Sequence, residues 1–119
     1  MATVLLSDPD ERSTLVLRSL LEALGHTVVH ELDRSVDAAV IEPASRKALR
    51  LVQRARAGDG HVPVVCVSAH RRGSRSQRLE PVAFFDKPVP VGPFVRAMTA
   101  AAEPARGLRR LVVETPAAA

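Results

Sequence analysis

Five short apolar runs alternate along this chain with longer segments that have the periodicity of helices. The runs cover residues 3–6, 27–30, 38–41, 62–67 and 82–85. Their Val, Ile and Phe residues have high strand propensity, and the near-continuous apolar run 62–67 is typical of a central strand in a parallel sheet. Strands that alternate with helices in this way predict an α/β domain, with a parallel sheet covered by helices on both faces.

The first apolar run leads into a helix with clear start and stop signals. Asp8 is predicted to cap this helix and Pro9 to occupy its first position, where a missing amide hydrogen costs nothing. Gly25 predicts the end of the helix, because glycine readily adopts the left-handed conformation that follows a helix. The buried face is predicted to consist of Leu17, Leu20, Leu21 and Leu24.

The remaining helices are less regular. A second helix is predicted to begin at residues 43–45 and to end at residues 58–60. A short, weak helix is predicted over residues 74–79, between the fourth and fifth apolar runs. A last helix begins at residues 92–93, and Pro104 is predicted to stop it, because proline cannot continue a helix.

The second and third apolar runs are separated by residues 31–37 alone, which are too few for a regular crossover helix. Seven extended residues reach at most about 25 Å, which is enough for the return across a sheet. We therefore expect an extended connection, or an exchange of elements between two chains. Either would leave one flank of the sheet poorly covered, and an exposed apolar flank usually marks a partner surface.

Length and composition are those of one globular domain. We assign residues 1–103 to the domain and residues 104–119 to a tail or linker. No apolar run is long enough to span a membrane, and the single cysteine, Cys66, lies in an apolar run, as expected for a buried thiol in a cytoplasmic protein. The net charge of +4 is consistent with binding of an acidic protein or nucleic acid. It is equally consistent with helix faces that are charged and solvated.

Polar side chains follow four of the apolar runs. In open α/β sheets, functional sites lie at the carboxyl ends of the strands, near the point where strand order reverses. This rule selects Asp8, Glu42, Ser68 and Lys87 as the candidate site residues.

These residues and their neighbours resemble the receiver domain of bacterial response regulators. Residues 4–8 resemble the first strand with its acidic end, and residues 39–42 the third strand, which in the family ends in the phosphoacceptor aspartate. Residues 64–69 resemble the fourth strand with its hydroxyl switch residue, and residues 84–88 the fifth, with Phe84 as the switch aromatic. The resemblance covers residues 3–102. It implies a flavodoxin-like three-layer sandwich, with a five-stranded parallel sheet of order 2-1-3-4-5 and the second helix shortened or absent.

The sequence departs from this family at two positions of the phosphorylation pocket. The family has two adjacent acids after the first strand, where this chain has Asp8 and Pro9. Glu42 stands at the acceptor position, with its carboxylate one methylene, about 1.5 Å, further out. We expect a degenerate pocket in which Glu42 pairs with Lys87, Phe84 keeps one rotamer, and Mg²⁺ binding is weak or absent, with no other cofactor. The alternative is that these side chains are solvated and have no function.

Other chemistries find little support in the sequence. The histidines lack the spacing of metal ligands, and no catalytic triad or phosphate-binding glycine loop is present, so we expect no enzyme activity. One segment is crowded with basic side chains, which indicates either a solvated surface or a contact for an acidic partner. These are Arg71, Arg72, Arg75 and Arg78.

The leading prediction is an atypical receiver domain of two-component or phosphorelay-type signalling that binds a protein partner without phosphorylation. The resemblance implies that the partner contacts the face formed by the family's fourth helix, fifth strand and fifth helix; a homodimer is a further option. One alternative is a conventional phosphoacceptor that uses Asp8 or Asp10. The other is a basic domain that binds nucleic acid, which ranks last because the three Phe residues offer no stacking platform.

Overall fold

Five parallel strands form the central sheet of the computed structural model, which describes residues 2–31, 36–58, 62–70 and 73–102. The strands are β1 (Thr3–Ser7), β2 (Thr27–Val29), β3 (Ala38–Ile41), β4 (Val64–Ser68) and β5 (Ala83–Asp86). The helices are α1 (Glu11–Ala23), α2 (Arg46–Gly58), α3 (Ser74–Arg78) and α4 (Val91–Ala102). The strand order is β2-β1-β3-β4-β5, so the predicted α/β fold and its strand order are confirmed.

Helices cover both faces of the sheet and bury two apolar clusters. Because successive side chains of a strand point to opposite faces, Leu6 and Leu5 of β1 belong to different clusters. The cluster beneath α1 and α4 contains Leu17, Leu21, Phe94 and Met98. The cluster beneath α2 contains Ala48, Leu51, Val52 and the fully buried Cys66. The result is a three-layer sandwich.

The beginning of α1 differs from the prediction. The cap is Asp10, whose carboxylate accepts hydrogen bonds from the backbone N–H of Ser13 at 3.1 Å and from its hydroxyl at 2.7 Å. Asp8 accepts a hydrogen bond from the Asp10 N–H at 2.8 Å instead. The chain needs residues 8 and 9 to turn from the strand into the helix. Pro9 therefore lies in this turn, before the helix begins.

The end of α1 and the beginning of α2 follow the predictions. Gly25 has a φ of +89°, and its N–H donates to the Glu22 carbonyl at 2.9 Å. The N–H of His26 donates to the Leu21 carbonyl at 3.1 Å, so the two bonds together satisfy the last carbonyls of the helix. Ser45 precedes α2, and its hydroxyl accepts from the Ala48 N–H at 3.2 Å.

The connection between β2 and β3 has no helix among its described residues, 30, 31, 36 and 37. The predicted poorly covered flank is limited to the edge strand, where Thr27 is exposed and Val28 and Val29 are half-buried. Leu5 of β1 and Ala39 of β3 are fully buried on the face beneath α2, and Val36 of the connection packs into the same cluster. The connection therefore covers its own side of the sheet with an apolar side chain.

Two further predictions concern the ends of the chain and membranes. The domain boundary at residue 103 and the tail over residues 104–119 lie outside the described residues. Across the ranges that the structure describes, no helix has the length and apolar character needed to cross a membrane.

Candidate functional site

The carboxyl ends of four strands meet at one edge of the sheet. The register pairs Ser7 of β1 with Ile41 of β3, and Ser68 of β4 with Asp86 of β5. The residues that follow β1, β3 and β5 are therefore brought to the same edge as Ser68. This is a direct result of parallel pairing, because parallel strands all end on the same side of a sheet.

Lys87 makes the central charge contact at this edge. Its Nζ lies 2.7 Å from Oδ2 of Asp8 and 3.6 Å from Oε1 of Glu42. The shorter contact therefore goes to Asp8, whereas the sequence had suggested Glu42 as the partner. The backbone N–H of Lys87 donates to the Ser68 carbonyl at 2.9 Å, which fixes the position from which its side chain extends.

Each of the two carboxylates uses its second oxygen to close a turn in its own loop. Oδ1 of Asp8 accepts from the N–H of Asp10 at 2.8 Å, and Oε2 of Glu42 accepts from the N–H of Ala44 at 3.2 Å. In both cases the donor lies two residues further along the chain. Each carboxylate is thus held between a backbone amide on one side and the Lys87 ammonium on the other.

Ser68 uses its side chain in the same local way. Its hydroxyl accepts a hydrogen bond from the N–H of His70, again two residues on, at 3.0 Å. The residue is almost completely buried, at 1% exposure. It does not line the open cleft above Asp8 and Glu42. Ser68 therefore lies at the right edge of the sheet, but its described hydrogen bond shapes the loop after β4.

Burial strengthens the electrostatic interactions among Asp8, Glu42 and Lys87. The side chains of Asp8 and Glu42 are 1% and 5% exposed, and that of Lys87 is 17% exposed. Oδ2 of Asp8 is buried without a well-directed hydrogen bond from the described residues, so the Lys87 ammonium is its stabilising contact. Two buried negative charges thus depend on one positive charge, and removal of that charge would leave both uncompensated.

A cleft of about 400 Å³ opens above these residues. Its lining includes Asp8, Asp10, Glu42, His70 and Lys87. Asp10 lies at the exposed rim, where its hydrogen bonds with Ser13 lower the pKa of its carboxyl below the ordinary value. That carboxylate is already engaged as the cap of α1. The cleft therefore combines three acidic groups with one lysine.

A second concavity, of about 420 Å³, is mainly apolar and lies between α1 and the beginning of α4. Val16 and Val91 line it, and they are 55% and 54% exposed; Leu15, also on α1, is 66% exposed. These residues were not predicted from the sequence. The signal that could have found them is that Leu15 and Val16 stand outside the leucine face of α1, where an ordinary surface helix would have polar residues.

Comparisons with known proteins address the fold. No protein-family model and no curated protein matches the sequence. A response regulator receiver protein from Pseudoalteromonas atlantica is similar in structure, with a TM-score of 0.67 and 16% identity over 83% of this chain and 95% of that one. A response regulator from Thermotoga maritima has a TM-score of 0.67 and 18% identity over 86% and 98% of the two chains.

NtrX from Brucella abortus, solved in complex with ADP, has a TM-score of 0.70 and 19% identity; the similarity covers 87% of this chain and 26% of NtrX. The chain has the fold of a response-regulator receiver domain. In this receiver fold, Asp8, Glu42 and Lys87 lie at the carboxyl edge of the parallel sheet. The helices α2, α3 and α4 follow β3, β4 and β5 in the chain.

The receiver family implies a Mg²⁺ site at this edge, and the residues present do not fit one. Pro9 supplies no carboxylate at the position of the second acid, and the carboxylate of Asp10 caps α1 through Ser13. Asp8 and Glu42 each have one oxygen on a backbone amide and the other facing Lys87. In the described part of the receiver fold, no three His, Cys, Asp or Glu side chains are grouped to hold a metal ion.

Phe84 and Arg78 are not among the described residues that line the cleft. Phe84 is 1% exposed and packs in the cluster beneath α2. Arg78 is exposed at the end of α3. Arg71 and Arg72 lie outside the described residues, and the side chain of Arg75 does as well. Of the predicted site residues, the receiver fold thus brings Asp8, Glu42 and Lys87 into direct contact, and places Ser68 beside them.

Proposed function

We propose that this chain is an atypical receiver domain of cytoplasmic two-component or phosphorelay-type signalling. It binds a protein partner without being phosphorylated and has no enzyme activity of its own. The observation that carries the proposal is the state of Glu42 at the acceptor position. One of its carboxylate oxygens is bonded to its own loop at Ala44, and the other faces Lys87.

Phosphoryl transfer to a carboxylate needs a free attacking oxygen and a cation that neutralises the developing charge. Glu42 is 4% exposed, its oxygens already have contacts, and its longer side chain reaches into the space that the phosphoryl group would need. Lys87, which holds phosphoryl oxygens in the family, is bound here to Asp8 at 2.7 Å. The pocket therefore favours one fixed state over a phosphorylation switch.

The test is treatment of the purified protein with acetyl phosphate and Mg²⁺, followed by Phos-tag electrophoresis. We expect no shifted band, while a conventional receiver domain treated in parallel shifts. A beryllofluoride titration followed by NMR is expected to leave the amide signals of Asp8, Asp10, Glu42 and Ala44 unchanged. A shifted band that is lost in Asp8→Asn or Asp10→Asn would overturn the proposal in favour of a conventional phosphoacceptor, and a shifted band that is lost in Glu42→Gln would overturn it in favour of phosphorylation at Glu42.

The partner surface that we propose is the face formed by α3, β5 and α4. Charged side chains are exposed on each of these elements: Arg78 on α3, Asp86 on β5 and Arg96 on α4. The sheet order places β5 at the edge, so this face has no further strand beside it among the described residues. Such a charged surface suits a protein partner of complementary, acidic character.

Charge reversal at Arg78 and Arg96 tests this surface. Tagged wild-type protein and the variant Arg78→Glu/Arg96→Glu would be used to capture proteins from the native host. The matched control is Arg50→Glu, at an exposed position of α2. We expect one protein that the wild type and the control retain and the double variant loses. Retention by all three would place the partner elsewhere. Nucleic acid in the captured material, released steeply by salt, would favour the nucleic-acid alternative.

A further inference from the structure

We propose that the Lys87 ammonium is the resident cation of this cleft and takes the place of a divalent metal ion. The inference deepens the proposed function, because it rests on the same pocket being unable to transfer phosphoryl groups. It goes further by assigning a positive role to Lys87. The lysine neutralises the carboxylates and holds the ends of three strands in one arrangement, without metal.

The position of the ammonium is that of a shared counter-ion. Nζ of Lys87 lies between Oδ2 of Asp8 and Oε1 of Glu42, at 2.7 Å and 3.6 Å. These two oxygens are the ones that each carboxylate has left after its backbone amide contact. A metal ion at the same point would either displace the ammonium, which breaks its contacts with the two carboxylates, or lie beside it. In the second case the two positive charges would repel each other strongly at short distance.

The ligand count leads to the same conclusion. Mg²⁺ requires near-octahedral oxygen coordination and sheds its water reluctantly. Pro9 has no side-chain oxygen, and the Asp10 carboxylate is held by Ser13 at the beginning of α1. Only one oxygen each from Asp8 and Glu42 remains, and both face the lysine, so these two oxygens become available to a hydrated Mg²⁺ ion only when the lysine is removed. The protein therefore supplies an ammonium where the family's chemistry requires a metal.

The charge balance explains why a cation is needed at all. Asp8 and Glu42 are both buried at the sheet edge, with side chains 1% and 5% exposed. A buried carboxylate pair without a nearby positive charge is strongly destabilising. Lys87 comes from the strand end farthest from β2 in the strand order, so its side chain also links β5 to β1 and β3.

Removal of the lysine should open the cleft to metal. In the wild type, millimolar Mg²⁺ is expected to leave the unfolding midpoint and the amide resonances of Asp8, Asp10, Glu42 and Ala44 unchanged. In Lys87→Ala, the same Mg²⁺ is expected to raise the midpoint by several degrees, since a ligand that binds the folded state alone stabilises it. Lys47→Ala, an exposed position on α2, is the control and should show no response.

The Asp8→Asn/Lys87→Ala variant checks that the gained metal contacts this cleft, and it should lose the Mg²⁺ response. If Lys87→Ala does not fold without metal, Mg²⁺-dependent recovery of its folded NMR spectrum serves as the measurement. Saturable Mg²⁺ shifts in the wild type, or no response in Lys87→Ala, overturn the inference. A wild type that binds Mg²⁺ and remains unlabelled by acetyl phosphate would overturn this inference and leave the proposed function intact.

Discussion

Lys87 and Asp8 form a buried ion pair of 2.7 Å between two strands that are not neighbours in the sheet. Asp8 follows β1 and Lys87 follows β5, with β3 and β4 between them. The pair therefore spans the carboxyl edge of the sheet over the ends of two intervening strands. This cross-sheet contact distinguishes the site from a set of independent polar strand ends.

The first prediction concerns the charge of Lys87. Lys87→Met keeps most of the length of the side chain but leaves Asp8 and Glu42 without their counter-ion. We expect the free energy of unfolding to fall by about 3 kcal/mol, as for removal of one partner of a buried pair. Urea unfolding measures the loss. Lys47→Met, on the exposed face of α2, should change stability by less than about 0.5 kcal/mol. Equal effects of the two substitutions would rule out the counter-ion role.

The second prediction ranks the two carboxylates. Asp8 is closer to Lys87 than Glu42 is, at 2.7 Å against 3.6 Å. We expect Asp8→Asn to cost about 3 kcal/mol and Glu42→Gln about 1 kcal/mol, because the shorter buried contact carries more of the interaction. A double-mutant cycle of each with Lys87→Met isolates the coupling. A larger coupling energy between Glu42 and Lys87 than between Asp8 and Lys87 would contradict this ranking.

The third prediction restores what the pocket lacks. The double variant Pro9→Asp/Glu42→Asp supplies a second acid after β1 and shortens the acceptor side chain by one methylene. We expect acetyl phosphate to label this variant in the presence of Mg²⁺, as detected by Phos-tag electrophoresis. Glu42→Asp alone should remain unlabelled, because the second acid is still missing. A folded but unlabelled double variant would mean that positions other than these two block the reaction.

The fourth prediction is a pH dependence at His26. Burial, and then the positive N-terminus, lower the pKa of His26 below the ordinary value of 6.5. Its Nδ1 accepts a hydrogen bond from the Ala2 N–H at 3.2 Å, which requires the neutral ring. Since the folded-state pKa is the lower one, the unfolded chain takes up the proton first. Stability should therefore decline as the pH falls below about 6.5 and level off below the folded-state pKa.

The size of this effect is about 0.5 kcal/mol or less, since His26 is only partly buried and solvent screens its interactions. Urea unfolding at several pH values would measure it. His26→Asn should flatten the pH dependence. A decline of equal size in wild type and His26→Asn would assign the pH dependence to other groups.

The sequence by itself determined the order of the elements and the class of fold. Strand and helix positions follow from local propensity and periodicity, which is why β3 and the short helix α3 were placed within a residue of their observed bounds. The parallel arrangement then required the polar residues after the strands to meet at one edge. Asp8, Glu42, Ser68 and Lys87 could be selected on that basis alone.

The tertiary structure decided which of these groups touch. The choice of Asp8 as the nearest partner of Lys87 depends on side-chain reach across β3 and β4, which no local pattern encodes. The shift of the helix cap from Asp8 to Asp10 has the same origin, because Asp8 is drawn into the pocket by a lysine 79 positions later in the chain. Periodicity reports which face of an element is buried, whereas contacts between distant residues are fixed only when the sheet has assembled.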